Sequence, residues 1–215
     1  MGKPEPPKVI ADIDGSDEFV DTTFRQLIVD RQALTSEGFD TCTFESCSFQ
    51  EAELVGCTFR DATFIGCNLA AAKLTNSRFA GVKFTRSKVT GLDWTVAQWS
   101  SVGLPILFED ECLLDCSVFL GLKLKNAVFR DCSAREVDFT EADLSGSSVS
   151  GTDLSAARFN RTNLTNARLE GAFGYSIDPT NNELKGAHVS LPEAASLIRA
   201  LGIEIVDAPR GPQTS

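Results

Sequence analysis

The side chains able to do chemistry are few: one histidine, His188, seven cysteines, and a series of Asp and Asn residues set one place before a bulky apolar residue. A catalytic histidine needs a nucleophile or carboxylate in a recognisable setting. No P-loop, G-x-G-x-x-G or nucleophile-elbow segment accompanies His188. Six cysteines, Cys42, Cys47, Cys57, Cys67, Cys112 and Cys132, fall in one class of a five-residue period, which reads as a small inward position. Cys47 with Cys67, and Cys112 with Cys132, are expected to stack in parallel, an arrangement suited neither to tetrahedral zinc nor to easy disulfide geometry. Cys116 lies outside the class, and Cys112-x₃-Cys116 alone is a weak zinc signal. Asp138, Asp143, Asp153 and Asn163 recur with the same period, so they read as a coat on a repeating surface rather than as paired catalytic acids. The expectation is a protein that is not an enzyme, with no cofactor and no metal.

The element that positions these residues is the period itself. Stepping by five from Phe19 to Leu169, only Glu109 is polar and only Ala134 is small among 31 positions. Thirteen of the fifteen Phe and both Trp fall on this one class, which neither a 3.6-residue nor a 2-residue period produces. Two places earlier, from Cys42 to Ala172, stands Ala, Cys, Ser, Thr or Val, with Leu92, Leu107 and Leu122 as exceptions. The unit is small–polar–large–polar–polar, as in AELVG, ATFIG, ADLSG and TNLTN. Five residues cannot close a ring alone, but four units can form a square coil of twenty. Every twentieth residue then forms a column: Phe19, Phe39, Phe59, Phe79, Trp99, Phe119, Phe139 and Phe159, beside Phe24, Phe44, Phe64, Phe84, Leu104, Leu124, Leu144 and Leu164. At ~4.8 Å per coil, nearly eight coils make a rod on the order of 38 Å long.

These repeats, from about Phe39 to Ala172, resemble the pentapeptide-repeat proteins, whose consensus is A(D/N)LXX. The resemblance implies an all-β solenoid, a right-handed quadrilateral β-helix of about eight coils with a C-terminal helix and short strand. GLDWTVAQW at 91–99 and the ending YSIDPTNNELKGAHVSLPEAASLIRALGIEIVD at 175–207 resemble the topoisomerase-protecting branch: the Qnr quinolone-resistance proteins, the microcin-immunity protein McbG and the albicidin-resistance protein AlbG. That branch implies binding to DNA gyrase, and often topoisomerase IV, by a DNA-mimicking rod that relieves poisoning by a drug or peptide toxin. It also implies a homodimer through the C-terminal segment. Because the five-residue register runs without a break from Phe19 to Leu169, no large loop insertion is expected, and the match draws closer to McbG and AlbG than to Qnr.

The expected organisation is an N-terminal lead or cap over 1–18, a β-helix over 19–174, a helix–strand capping and dimerisation module over 175–207, and a disordered tail over 208–215. The first coil should be irregular, because Leu27, Gln32 and Glu37 suit the small site poorly. Residues 100–111, with Gly103 and Pro105, interrupt the coils, and Glu109 on the core class predicts that Phe108 turns inward with a bulge. The break reads either as a tolerated irregularity or as a protruding contact carrying Glu109, Asp110, Glu111 and Asp115. A helix over 191–201, opened by Ser190–Glu193 and ended by Gly202, and a strand over 203–206 complete the cap. Leu191, Leu197, Ile198, Leu201, Ile203 and Ile205 are its dimerisation candidates.

Net charge is −10, which disfavours direct nucleic-acid binding. Acids gather at 109–115 and 136–143, giving Asp138, Glu141, Asp143 and Asp153 as further partner-binding candidates, while Lys73, Arg78, Lys83, Arg86 and Lys88 form a basic stretch. No apolar run is long enough to span a membrane and the start lacks the order of a secretory signal, so the expected compartment is the cytoplasm. The rival expectation is a scaffold with an unrelated protein partner, its acidity serving solubility alone.

Overall fold

A computed structural model describes residues 18–99 and 105–206. The expected lead over 1–18 and tail over 208–215 fall almost wholly outside the described residues, as do Gly103 and Leu104.

The chain winds as a four-faced β-solenoid of about eight coils in which every strand pairing is parallel. Most of the three-residue strands bury the middle residue and turn its neighbours outward, as in Thr23-Phe24-Arg25, so the large residue of the repeat is the one removed from water. A corner follows within two residues. The residue two places after the inward one takes a left-handed φ, for example Glu51 at 55°, Ala71 at 55° and Glu136 at 56°. Glycine does so freely, and Asn and Asp tolerate it; other residues carry about 1 kcal/mol of strain there.

Faces are numbered here by their first inward residue: Phe19 (first), Phe24 (second), Val29 (third) and Leu34 (fourth). Phe19, Phe39, Phe59 and Phe79 align on the first face, and Phe24, Phe44, Phe64 and Phe84 on the second. Within a column the rings stack, as Phe44 on Phe64 at 4.6 Å and 10°; between columns they meet edge-on, as Phe39 with Phe44 at 5.3 Å and 70°. Both geometries suit the ring quadrupole and add about 1 kcal/mol per pair beyond area burial.

The first coil is regular, contrary to expectation: residues 18–35 pair in register with 38–55, and Leu27 is accommodated fully buried. The second half of the column scheme is also corrected. Phe84 pairs with Phe108, Phe108 with Phe129, Lys88 with Leu113 and Asp93 with Val118. These are steps of 24, 21, 25 and 25, so one coil holds 25 residues. Four extra residues precede Phe108. One more follows it, where Asp110 and Glu111 both take left-handed φ (54° and 67°) and form the expected bulge. Their total equals one repeat, so the five-residue class returns in phase beyond the insertion, with Glu109 as its one displaced position. Phe119 therefore stacks on Trp94, at 5.7 Å and 10°, rather than on Trp99. Beyond the insertion every column is displaced by one face: Leu124, Leu144 and Leu164 lie on the first, and Phe119, Phe139 and Phe159 on the fourth.

The ladder outlasts the period at the C-terminus. Leu169 pairs with Val189 and Asn163 with Glu183, closing a coil beyond position 174 that buries Tyr175 and Ile177. A helix, α1 (Ala194–Ala200), follows. Residues 203–206 form no strand, because α1 leads the chain away from the last paired edge at His188–Val189 and a strand needs an edge to bond to. Among the described residues no helix is long and apolar enough to cross a membrane.

Candidate interaction surfaces

The acids expected to meet a partner are dispersed around the rod. Glu109 is buried at 6% exposure, with Lys83 Nζ at 2.5 Å and an ion pair to Arg130. The Lys83 hydrogen bond, followed by the charges of Lys83 and Arg130, holds its carboxyl below the usual range against the opposing effect of burial. Glu109 thus ties the 25-residue coil to the coils on either side and presents no surface to a partner. Asp153 is also buried; it accepts from Arg135 Nε (2.6 Å) and from the Ser155 amide (3.0 Å) and hydroxyl (2.6 Å). Asp138 binds Arg158 (3.0 Å), Glu141 binds Arg161, and Asp143 lies 3.5 Å from Lys125. Burial pushes Asp138, Asp143 and Asp153 upward, but hydrogen bonds from Thr140, Ser145 and Ser155 and the nearby cations hold each below the usual range.

These residues occupy different sides. Asp110 and Glu111 mark the corner between the second and third faces, Asp115 and Asp153 the third face, Asp138 the fourth, Glu141 the next corner and Asp143 the first face. Two acids outside the named candidates, Asp131 and Glu136 (the latter opening the acidic run 136–143), are exposed at left-handed corner positions. The corner position of the repeat was the signal that could have found them. Asp110, Glu111, Asp115, Asp131 and Glu136 make no ion pair among the described residues, and all five lie on the third face or its two corners. Of the basic stretch, Lys73 pairs with Glu53, Arg78 bonds Gln98 and Lys83 pairs with Glu109. The stretch therefore encircles one coil instead of forming a stripe.

The thiols serve the corners. Cys47, Cys67, Ser87, Cys112, Cys132 and Thr152 form one column between the second and third faces. Cys67 Sγ donates to the Phe44 carbonyl (3.2 Å) and Thr152 Oγ1 to that of Phe129 (2.7 Å), while Ser87 Oγ accepts from the Cys67 amide (3.0 Å). This answers why a small polar residue stands there: buried backbone groups at the corner need partners. All seven thiols are free, six of them buried, and burial pushes Cys42 and Cys57 upward. Among the described residues no cluster of His, Cys, Asp and Glu is placed to hold a metal. His188 is exposed, its Nδ1 3.4 Å from Glu170.

At the C-terminal end Leu197 packs against the core, whereas Leu191 (80%), Leu201 (53%), Ile203 (53%), Ile198 and Ile205 are exposed. Five of the six dimerisation candidates thus leave a sizeable apolar area in water.

Residues 38–105 match the family profile described as pentapeptide repeat region, and 112–151, 123–161 and 138–173 match that of pentapeptide repeats (8 copies). No curated protein sequence matches the chain. Among solved structures, full-length QnrB1, a plasmid-mediated fluoroquinolone resistance protein, is similar with a TM-score of 0.53 and 21% identity, covering 91% of this chain and 95% of that one. A trypsin-treated form of QnrB1 gives 0.51 and 21%, covering 88% and 90%. HetL, a pentapeptide-repeat protein involved in heterocyst differentiation regulation from the cyanobacterium Nostoc, gives 0.41 and 20%, covering 83% and 92%.

Proposed function

Because this chain belongs to the pentapeptide-repeat family, we propose that it is a non-enzymatic binding rod whose partner is DNA gyrase, and that binding relieves poisoning of that enzyme by a drug or peptide toxin. The observation that carries this reading is a fold shared with a fluoroquinolone resistance protein along nearly the whole of both chains. Net charge supports it: at −10, with five unpaired acids gathered about one face, the rod complements an enzyme that grips DNA in a basic groove. Direct nucleic-acid binding is disfavoured by the same charge. Topoisomerase IV, with a groove of the same chemistry, is the second target. The 25-residue coil removes the reason for setting the chain apart from the Qnr proteins, which rested on an apparently unbroken register. The exposed C-terminal apolar residues are assigned to a homodimer, and the compartment to the cytoplasm, where gyrase works and thiols stay reduced.

One observation favours a second reading, a scaffold for an unrelated protein: Asp138, Glu141 and Asp143 are paired on three different sides, as a solubilising coat would be. A gyrase supercoiling assay over a protein titration separates the two, with and without a quinolone, albicidin and a microcin-type peptide. Supercoiling restored in the presence of one poison establishes protection and names the antagonist. Inhibition alone leaves gyrase binding without protection; no effect in any arm sinks the gyrase reading and leaves the scaffold.

A further inference from the structure

The stretch Leu113–Leu122 departs from the repeat at its outward positions. Leu113, Val118 and Leu120 stand where the neighbouring coils carry polar groups: Leu113 lies between Lys88 and Ser133 on its ladder, and Val118 between Asp93 and Asp138. The same register puts Leu120 between Thr95 and Thr140. Leu113 is 42% exposed and Leu120 44%, and Val96, at the next corner, is 44% exposed. Directly after the 25-residue coil, an interrupted belt of outward apolar residues thus runs from Leu113 on the third face to Val118 and Leu120 on the fourth, with Asp115 and Cys116 between them at the third-face edge and corner. No inward packing explains it, since Leu114 and Phe119 already fill the core at this level. Acids rim it. Asp93 and Asp138 adjoin Val118, Glu111 lies on the corner before Leu113, and Glu136 lies on the corner between the third and fourth faces one coil on; the exposed Lys88 stands beside Leu113.

We infer that this belt is the docking surface of the rod and that its occupant is a protein surface presenting apolar side chains between lysines or arginines. An apolar centre excludes water and supplies the contact energy, while an acidic rim selects the sign of the partner. A second copy of this chain fits less well, because its matching belt would bring the same acids face to face. The inference rests on the gyrase reading in one respect: it assigns the occupant to gyrase and places the contact at mid-rod, on the third and fourth faces.

The test replaces Leu113→Ser, Val118→Thr and Leu120→Thr together in the full chain. Ser and Thr are residues that adjacent coils carry in the Leu113 and Leu120 columns, so folding is retained. Binding of wild type and variant to purified gyrase is measured by biolayer interferometry, alongside melting temperature and solution mass. The expected result is an unchanged mass, a melting temperature within about 3 °C of wild type, and affinity lower by about tenfold or more. A companion variant, Glu111→Gln with Glu136→Gln, should bind more weakly with a shallower salt dependence. Equal binding by the triple variant overturns the docking surface while the gyrase reading stands. A large fall in melting temperature or a change in mass means the belt is covered from within the chain or by a second copy, and also overturns it. Wild type that does not bind gyrase removes both.

Discussion

The coils before and after the 25-residue coil use the same repeat with different fillings. Before it, Phe occupies the first and second faces, and strand ladders run through four levels. After it, Leu takes the first face and Phe the fourth. Successive corners there are closed by turn hydrogen bonds, as from Ala142 to Phe139 (3.0 Å), Ser147 to Leu144 (3.1 Å) and Ala157 to Leu154 (3.0 Å). The solenoid therefore does not need aromatic rings on any given face. It needs each column to match itself from coil to coil, because like side chains stacked one strand spacing apart leave no void. A coil with one repeat too many is where the identity of a column can change at little cost.

Four measurements would break or sharpen that comparison. Phe64 stacks between Phe44 (4.6 Å) and Phe84 (4.8 Å), so Phe64→Ala should cost about 4 kcal/mol in urea unfolding, and Leu144→Ala in the later coils about 3. Equal losses would mean that ring stacking adds nothing to the earlier coils. Glu109→Gln removes the anion that Lys83 and Arg130 share, and should cost on the order of 2 kcal/mol, since both cations are half in solvent. Its pH dependence has a definite sign. The folded carboxyl titrates below the usual range, so its contribution is fully present above the ordinary carboxylate value and is lost as pH falls through the folded value. The difference in stability between wild type and Glu109→Gln should shrink over that acid window, and a constant difference would contradict the brace.

A double-mutant cycle reads the register directly. Trp94→Leu with Phe119→Leu should show coupling of about 1 kcal/mol, and Trp99→Leu with Phe119→Leu almost none; the reverse would restore the uninterrupted twenty-residue column. The smallest effect is stabilising. Ala71→Gly and Ala156→Gly, one in each region, relieve left-handed strain (φ 55° and 57°) and should each raise stability by about 0.5 kcal/mol. Destabilisation at either would show that the corner strain is taken up elsewhere in the coil.

Much of the candidate surface was out of reach of sequence reasoning for one reason: pairing across coils joins residues about twenty apart. Asp138 and Asp143 look alike in the repeat, yet one faces Arg158 and the other Lys125. Glu109 sits on the large-residue class, and its burial between two cations follows from the bulge rather than from its class. The run of outward apolar residues at 113–120 was visible in the sequence, but its contrast with the polar residues above and below needed the true register.

Which residues face inward and which stand at corners follows, outside the bulge at Phe108–Glu111, from the five-residue period alone, because inward and outward alternation is a property of a few successive residues. Which residue stacks on which does not follow. An insertion of one whole repeat returns the five-residue class to phase beyond it, and only the pairing of Phe84 with Phe108 and of Asp93 with Val118 decides that the later coils are turned by one face.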